Sequence, residues 1–202
     1  MIGPRQNSEG KSPLTEQNPS VVRETEPSRF PHDSTALTAW LTSLVHNREY
    51  GTLAELRRAR VRTNAHIRAG WFGGDDHRDL FEQVAFLFAI YHQGRPAPSY
   101  GHGSLGAAAR RIGDGTGRGP DNPGAQRLLD RVVASRRVPW RHLQHAVTRL
   151  RSCEQPPPSW SALTEDLIKW NDRKARIAYQ WSVEFHTPPG AAGKHRTSRT
   201  GE

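Results

Sequence analysis

RDLFEQVAFLFAIYH, residues 78 to 92, decides the fold. Leu80, Val84, Leu87, Phe88 and Tyr91 recur at helical spacing, and the segment is apolar nearly all round at its centre. A helix with no polar face has to be covered on every side, which places this one in the middle of a helical bundle. GDDHRD, residues 74 to 79, supplies acidic caps where the positive end of a helix dipole favours them, and the Pro-containing loop GRPAPSYGHG, residues 94 to 103, ends the helix.

Helical spacing extends outward from that centre in both directions. Upstream, Asp33 or Ser34 can cap a helix whose stripe is Leu37, Trp40, Leu41, Leu44 and Val45. Tyr50 and Gly51 punctuate, and GTLAELRRARVR, residues 51 to 62, follows as a second helix with Leu53, Leu56 and Val61 facing the bundle. Downstream, Ser104 can cap the short helix SLGAAARRI. Leu128, Leu129, Val132 and Val133 form one further stripe, and Trp140, Leu143, Val147 and Leu150 another, with Pro139 near its first turn. After the break EQPPPS, Ser159 or Ser161 caps a helix through Trp160, Leu163, Leu167 and Trp170, and the last helix runs from Asn171 to His186 through Ile177, Trp181 and Phe185.

No segment alternates with a β period, so the expected fold class is all-α: two small helical bundles, 34–112 and 125–186, joined by the mobile Gly/Pro-rich loop 113–124. Residues 1–33 form a polar tail and 187–202 a basic one; both hold too few large apolar residues to offset the entropy of ordering, so both are expected to be disordered.

The chain of 202 residues is 34% apolar, enough for a core, and carries a formal charge of +9. With a pI near 10.5, a polyanion is the favoured partner, nucleic acid before membrane. The longest apolar run, VAFLFAIY at 84–91, is far short of the roughly 20 residues that span a bilayer, so no membrane partner is expected. MIGPRQNSEG has no apolar segment of the signal-peptide kind behind it, and the single Cys153 cannot form an intramolecular disulfide; both fit the cytoplasm.

Motifs for chemistry are weak. GHGSLG, residues 101 to 106, matches G-x-G-x-x-G in letters, but a loop precedes it where a dinucleotide site needs a strand. Its helix start offers backbone N–H groups to a phosphate; a glycine turn with ordinary capping is the plainer reading. GDGTGRG has no following GK[ST] and reads as a linker. His142 and His145, at i and i+3, can reach one metal only with a third ligand, and none has persuasive spacing; they read as histidines on a basic surface. Glu165 and Asp166 are adjacent, point apart on a helix and make a poor acid/base pair. No cofactor, metal or catalytic role is expected.

The arginines are the stronger signal. Arg57, Arg58, Arg60 and Arg62 have only Glu55 as a nearby counter-charge. Arg110, Arg111, Arg118, Arg127, Arg131, Arg136, Arg137, Arg141, Arg149 and Arg151 face only Asp114, Asp121 and Asp130. Any one of these can be a solvated helix face, but as a set they fit phosphate contact, because guanidinium groups bond phosphate oxygens in pairs and track a backbone without reading bases. Trp71 or Phe72, beside Arg68, can add base stacking or belong to the core.

The ordered series ALTAWLTSLV, GTLAELRRA, FEQVAFLFAIYH, SLGAAARRI, QRLLDRVV, LQHAVTRLRS and WSALTEDLIKWNDRKARIAYQWSVEF, spanning 36–185, resembles the CasB family, the small subunit of the type I-E CRISPR Cascade complex. The resemblance implies a two-bundle all-α protein, present in Cascade as two head-to-tail copies beside the large subunit and the backbone subunits. It implies a non-catalytic subunit that helps hold guide RNA and target DNA and stabilises the displaced DNA strand. Arg57 and Arg58 fall on the family's L-R-R-A position, and Arg110 and Arg111 on its L-R-R-L-like position. Where the family often has paired arginines before R-L-L, this chain has Ala125 and Gln126, and Arg127 keeps one charge. The arginines expected to contact nucleic acid are thus Arg57, Arg58, Arg60, Arg62, Arg110, Arg111, Arg127, Arg131, Arg136, Arg137 and Arg141. The alternative is a helical protein–protein adaptor with no direct nucleic-acid contact; a metal-dependent nuclease using His142 and His145 is a third class.

Overall fold

The Asp33 carboxylate accepts a hydrogen bond from the Ala36 N–H at 2.7 Å and so starts α1, Ser34–His46, whose stripe Leu37, Trp40, Leu41, Leu44 and Val45 is buried throughout. The computed structural model describes residues 32–58 and 61–188; the expectations for residues 1–31, for Arg60 and for residues 189–202 lie outside the described residues.

The second helix is shorter than its sequence suggests. α2 spans Tyr50–Leu56 and ends with Arg57 at its C-cap, so Tyr50 opens the helix where it was expected to precede it. Leu53 and Leu56 are buried, but Val61 is 59% exposed and does not serve the bundle. The apolar stripe runs out after Leu56, and closely spaced arginines repel along a helix face, so nothing holds the next turn. A separate helix, α3, spans Asn64–Trp71, and the Thr63 N–H donates to His66 Nδ1 at 3.3 Å at its start.

α4, Arg78–Tyr91, is the expected central helix: Phe81, Val84, Ala85, Leu87, Phe88, Ala89 and Tyr91 are all buried. Its N-cap is His77, without a side-chain capping bond; Asp79 lies in the first turn, while Asp75 is drawn off to Arg78 at 3.3 Å. Ser104 caps the short α5, Leu105–Ala109, by accepting from the Ala107 N–H. Residues 113–124, read as a linker, carry regular structure: β1, Gly113–Asp114, pairs antiparallel with β2, Gly117–Arg118, and a 3-10 turn, Gly119–Asp121, follows. Strands of two residues are too short to show an alternating pattern, which is why sequence gave no sign of them.

Asn122 caps α6, Pro123–Val133, accepting from the Gly124 and Ala125 N–H groups. α7, Trp140–Ser152, starts directly after Pro139. α8, Trp160–Ile168, is capped by Ser159. α9 begins at Ile177, not Asn171, and runs to His186. Asp172 accepts from the Lys174 N–H in a local turn and Arg176 takes a left-handed conformation, so the chain between the two helices bends where the sequence suggested helix.

The fold is all-α apart from that small hairpin, and its buried apolar residues form one continuous core across both halves. α4 packs against α3, α7 and α8, α1 against α8, and α5 and α6 against α9. α5 meets α9 through Gly106, where a Cβ would run into the Trp181 carbonyl. Among the described residues no helix is long and apolar enough to cross a membrane.

His92, just past α4, makes this core sensitive to acid. Its ring is buried, Nδ1 lies 2.9 Å from the Phe88 carbonyl, and the Ser99 N–H donates to Nε2 at 2.9 Å, so both nitrogens are engaged with the neutral imidazole. Burial, reinforced by the Arg95 charge, lowers its pKa from the ordinary 6.5 to about 4. Protonation therefore favours the unfolded chain: stability is full above about pH 6.5 and falls as the pH drops towards 4, by about 3 kcal/mol in all from this group. Urea unfolding between pH 7 and 4 is expected to be less pH-dependent in His92→Gln, by up to one proton; equal slopes would contradict this account.

Candidate nucleic-acid interface

The structure sorts the expected arginines by what their guanidinium groups already hold. Arg62 lies in an ion pair with Asp79 and, at 2.7 Å, with Glu82, so its charge is answered within the protein. Those carboxylates raise its pKa, Glu82 most. Arg110 donates to the Phe185 carbonyl at 3.1 Å and to that of Thr187, tying the end of α5 to the end of α9. Arg111 donates to the Ala107 carbonyl at 3.2 Å and the Pro156 carbonyl at 3.1 Å, while its Nε is buried without a partner and burial lowers its pKa. Both members of the 110/111 pair thus use donors on the protein's own backbone.

Arg127 and Arg131, one turn apart on α6, line a groove of about 370 Å³ together with His145 and Arg149 of α7. Gly124, Leu128 and Thr148 complete its lining, which contains no carboxylate. Arg149 was in the sequence imbalance but not among the expected contacts. The signal for it is a second i, i+4 pair, His145 and Arg149, on the helix that follows Arg127 and Arg131. Arg149 also borders a groove of about 490 Å³ with Arg118, where Asp114 and Glu154 offset the charge.

Arg58, Arg136, Arg137 and Arg141 are exposed, and Arg57 is half-buried at the α2 C-cap. None of them forms an ion pair among the described residues. Arg141 sits in the first turn of α7, at the positive end of the helix dipole, where a cation costs a few tenths of a kcal/mol or more. Local helix stability does not explain it. Arg58 lines a third groove, of about 600 Å³, with Val138 and Trp140 of the other half, two residues that lie between Arg137 and Arg141 in sequence. Arg58 lines a different groove from Arg127 and Arg131.

Several of the remaining sequence candidates do structural work. Gly101 takes a left-handed conformation and a Cβ there would strike the Pro158 carbonyl, so Gly101, like Gly106, answers to close backbone approach. The Ser104 hydroxyl bonds the Glu184 carboxylate, which puts negative charge at the α5 start where a phosphate had been considered. Glu165 accepts from Ser34 at 2.8 Å and Asp166 from Trp181 Nε1 at 2.7 Å. Burial raises the Asp166 pKa against the pull of that hydrogen bond. The His142 and His145 rings are edge-on at 6.5 Å, and among the described residues no third His, Cys, Asp or Glu joins them in a metal-binding group. Phe72 stacks on Trp40 at 5.7 Å and Arg68 lies over the same Trp40 ring at 5.2 Å, which leaves Trp71, 66% exposed, as the free aromatic.

The protein is basic and all-α apart from one small hairpin, and among the described residues Arg58, Arg127, Arg131 and Arg149 form no ion pair and line open grooves. The family described as CRISPR-associated protein Cse2 matches residues 52–186, and the chain belongs to that family. The fold is similar to that of CasB from Thermobifida fusca, known from its crystal structure, with a TM-score of 0.58 and 18% sequence identity over 77% of this chain and 100% of that one. No curated protein matches the chain by sequence.

Proposed function

We propose that the chain is a non-catalytic small subunit of a type I-E CRISPR Cascade complex. It binds guide RNA, target DNA and the displaced DNA strand through sequence-independent phosphate contacts that stabilise the R-loop in antiviral defence in the cytoplasm. Its protein partners are the large subunit, the backbone subunits and a second copy of itself. The observation that carries this reading is the α6–α7 groove, where Arg127, Arg131 and Arg149 meet with no carboxylate in the lining. Three guanidinium groups kept together without counter-ions repel one another, and a phosphate backbone relieves that repulsion. In RNA-guided recognition base pairing supplies specificity and protein contacts need only tip a nearly balanced strand exchange, which suits arginines that read no sequence.

Photo-crosslinking in the assembled complex tests the reading. Crosslinks from RNA or DNA are expected on α6, α7 and the turn carrying Arg136 and Arg137. Full assembly without any strand crosslink to this chain would contradict the proposal and favour the adaptor reading, for which the exposed Trp71 and Ile67, one turn apart on α3, are the surface to examine.

A further inference from the structure

The 600 Å³ groove differs in character from the one between α6 and α7. Leu80, Phe86, Val138 and Trp140 give it apolar walls, and Gln83 adds an amide. Phe86 and Trp140 are only half-buried, so each turns part of its ring to the groove or its mouth. Arg62, Asp79 and Glu82 also line it, but they neutralise one another in an ion-paired trio with one negative charge over. Arg58 also lines the groove, outside that trio, and offsets its excess negative charge.

The ligand complementary to such a site has a flat apolar face, a hydrogen-bonding edge and a negative charge on a short tether. An unpaired nucleotide has all three, and the volume lies in the range of about 300–1,000 Å³ usual for small-ligand sites. A basic protein segment finds no excess negative charge in a lining where Arg58 and Arg62 balance Asp79 and Glu82, and a bare phosphate leaves the aromatic walls unused. We propose that this groove admits one unpaired base of a single strand, its face against Phe86 and Trp140, its edge at Gln83 and its phosphate at Arg58. The inference rests on the nucleic-acid reading above and adds to it a contact made with a base instead of the backbone.

The test compares the full-length chain on an oligothymidylate and on an abasic strand of equal length and charge. A stacked base is expected to make the thymidylate bind about tenfold tighter, with Trp140→Leu bringing the two affinities together. Gln83→Glu, at an exposed position outside the core, is the second variant, and its added carboxylate is expected to abolish the preference as well. Equal affinity for the two strands in the unmodified chain would overturn the base contact while leaving the backbone reading in place. Binding of neither strand at low salt would overturn both. Tighter binding of oligoglutamate than of either strand would assign the groove to an acidic protein segment and overturn the proposal.

Discussion

Replacing Trp160 with alanine is expected to lower the unfolding free energy by about 3–5 kcal/mol, a large part of the roughly 5–15 kcal/mol that holds a domain folded. Trp160 is fully buried at the start of α8, where α8 meets α4. Its ring stands edge-on to Phe88 at 5.2 Å and to Tyr91 at 6.0 Å, and His92 lies at 6.1 Å. Nε1 donates to the Ser99 carbonyl at 3.0 Å and so anchors the loop that follows α4. Alanine would leave a cavity between the two halves and an unsatisfied carbonyl beside it, and both costs act at once. Trp160→Phe keeps most of the volume and loses the hydrogen bond, so its loss should be distinctly smaller. Urea denaturation separates the two variants; a loss below about 1 kcal/mol for Trp160→Ala would contradict the account of the core.

The second large effect concerns strand binding. Arg127→Ala, Arg131→Ala and Arg149→Ala combined are expected to weaken single-strand affinity about a hundredfold at 0.1 M salt, since three lost phosphate contacts remove roughly two logarithmic units of counterion-release free energy. Folding should change little, because Arg127, Arg131 and Arg149 are exposed. Arg78→Ala is the matched control: its guanidinium is held by Asp75 and the Gly74 carbonyl and lines neither groove, so its loss should alter affinity far less than any one of the three. Equilibrium titration of each variant with a fluorescent RNA or DNA strand checks both statements.

Most of the fold was legible because burial follows apolar spacing. The stripes from Leu37, Leu80, Leu128 and Trp140 lie in the core except at Leu80, Val133 and Trp140, which are half-buried against it, and Asp33, Ser104 and Ser159 cap the helices they were expected to cap. What was not legible is short or depends on distant partners. The hairpin at Gly113–Arg118 has strands too brief for a period, and the break after Leu56 turns on where an apolar stripe gives out.

The candidate interface was legible as a charge imbalance but not as a map. Arg62 meets carboxylates 17 and 20 residues away, Arg110 a carbonyl 75 residues away and Arg111 one 45 residues away, distances at which sequence shows a charge without its partner. Arg127 and Arg131 stand in the sequence only as part of that imbalance, and α6 sets them one turn apart. Arg149 joins them only because α7 packs on α6, which is a property of the fold.

The central claim is that the α6–α7 arginines contact phosphates, and the salt dependence of single-strand binding tests it most directly. The slope of log affinity against log salt is expected to flatten by about 0.7 for each phosphate contact removed, hence by about 2 in the triple variant. An unchanged slope in a folded triple variant would contradict it.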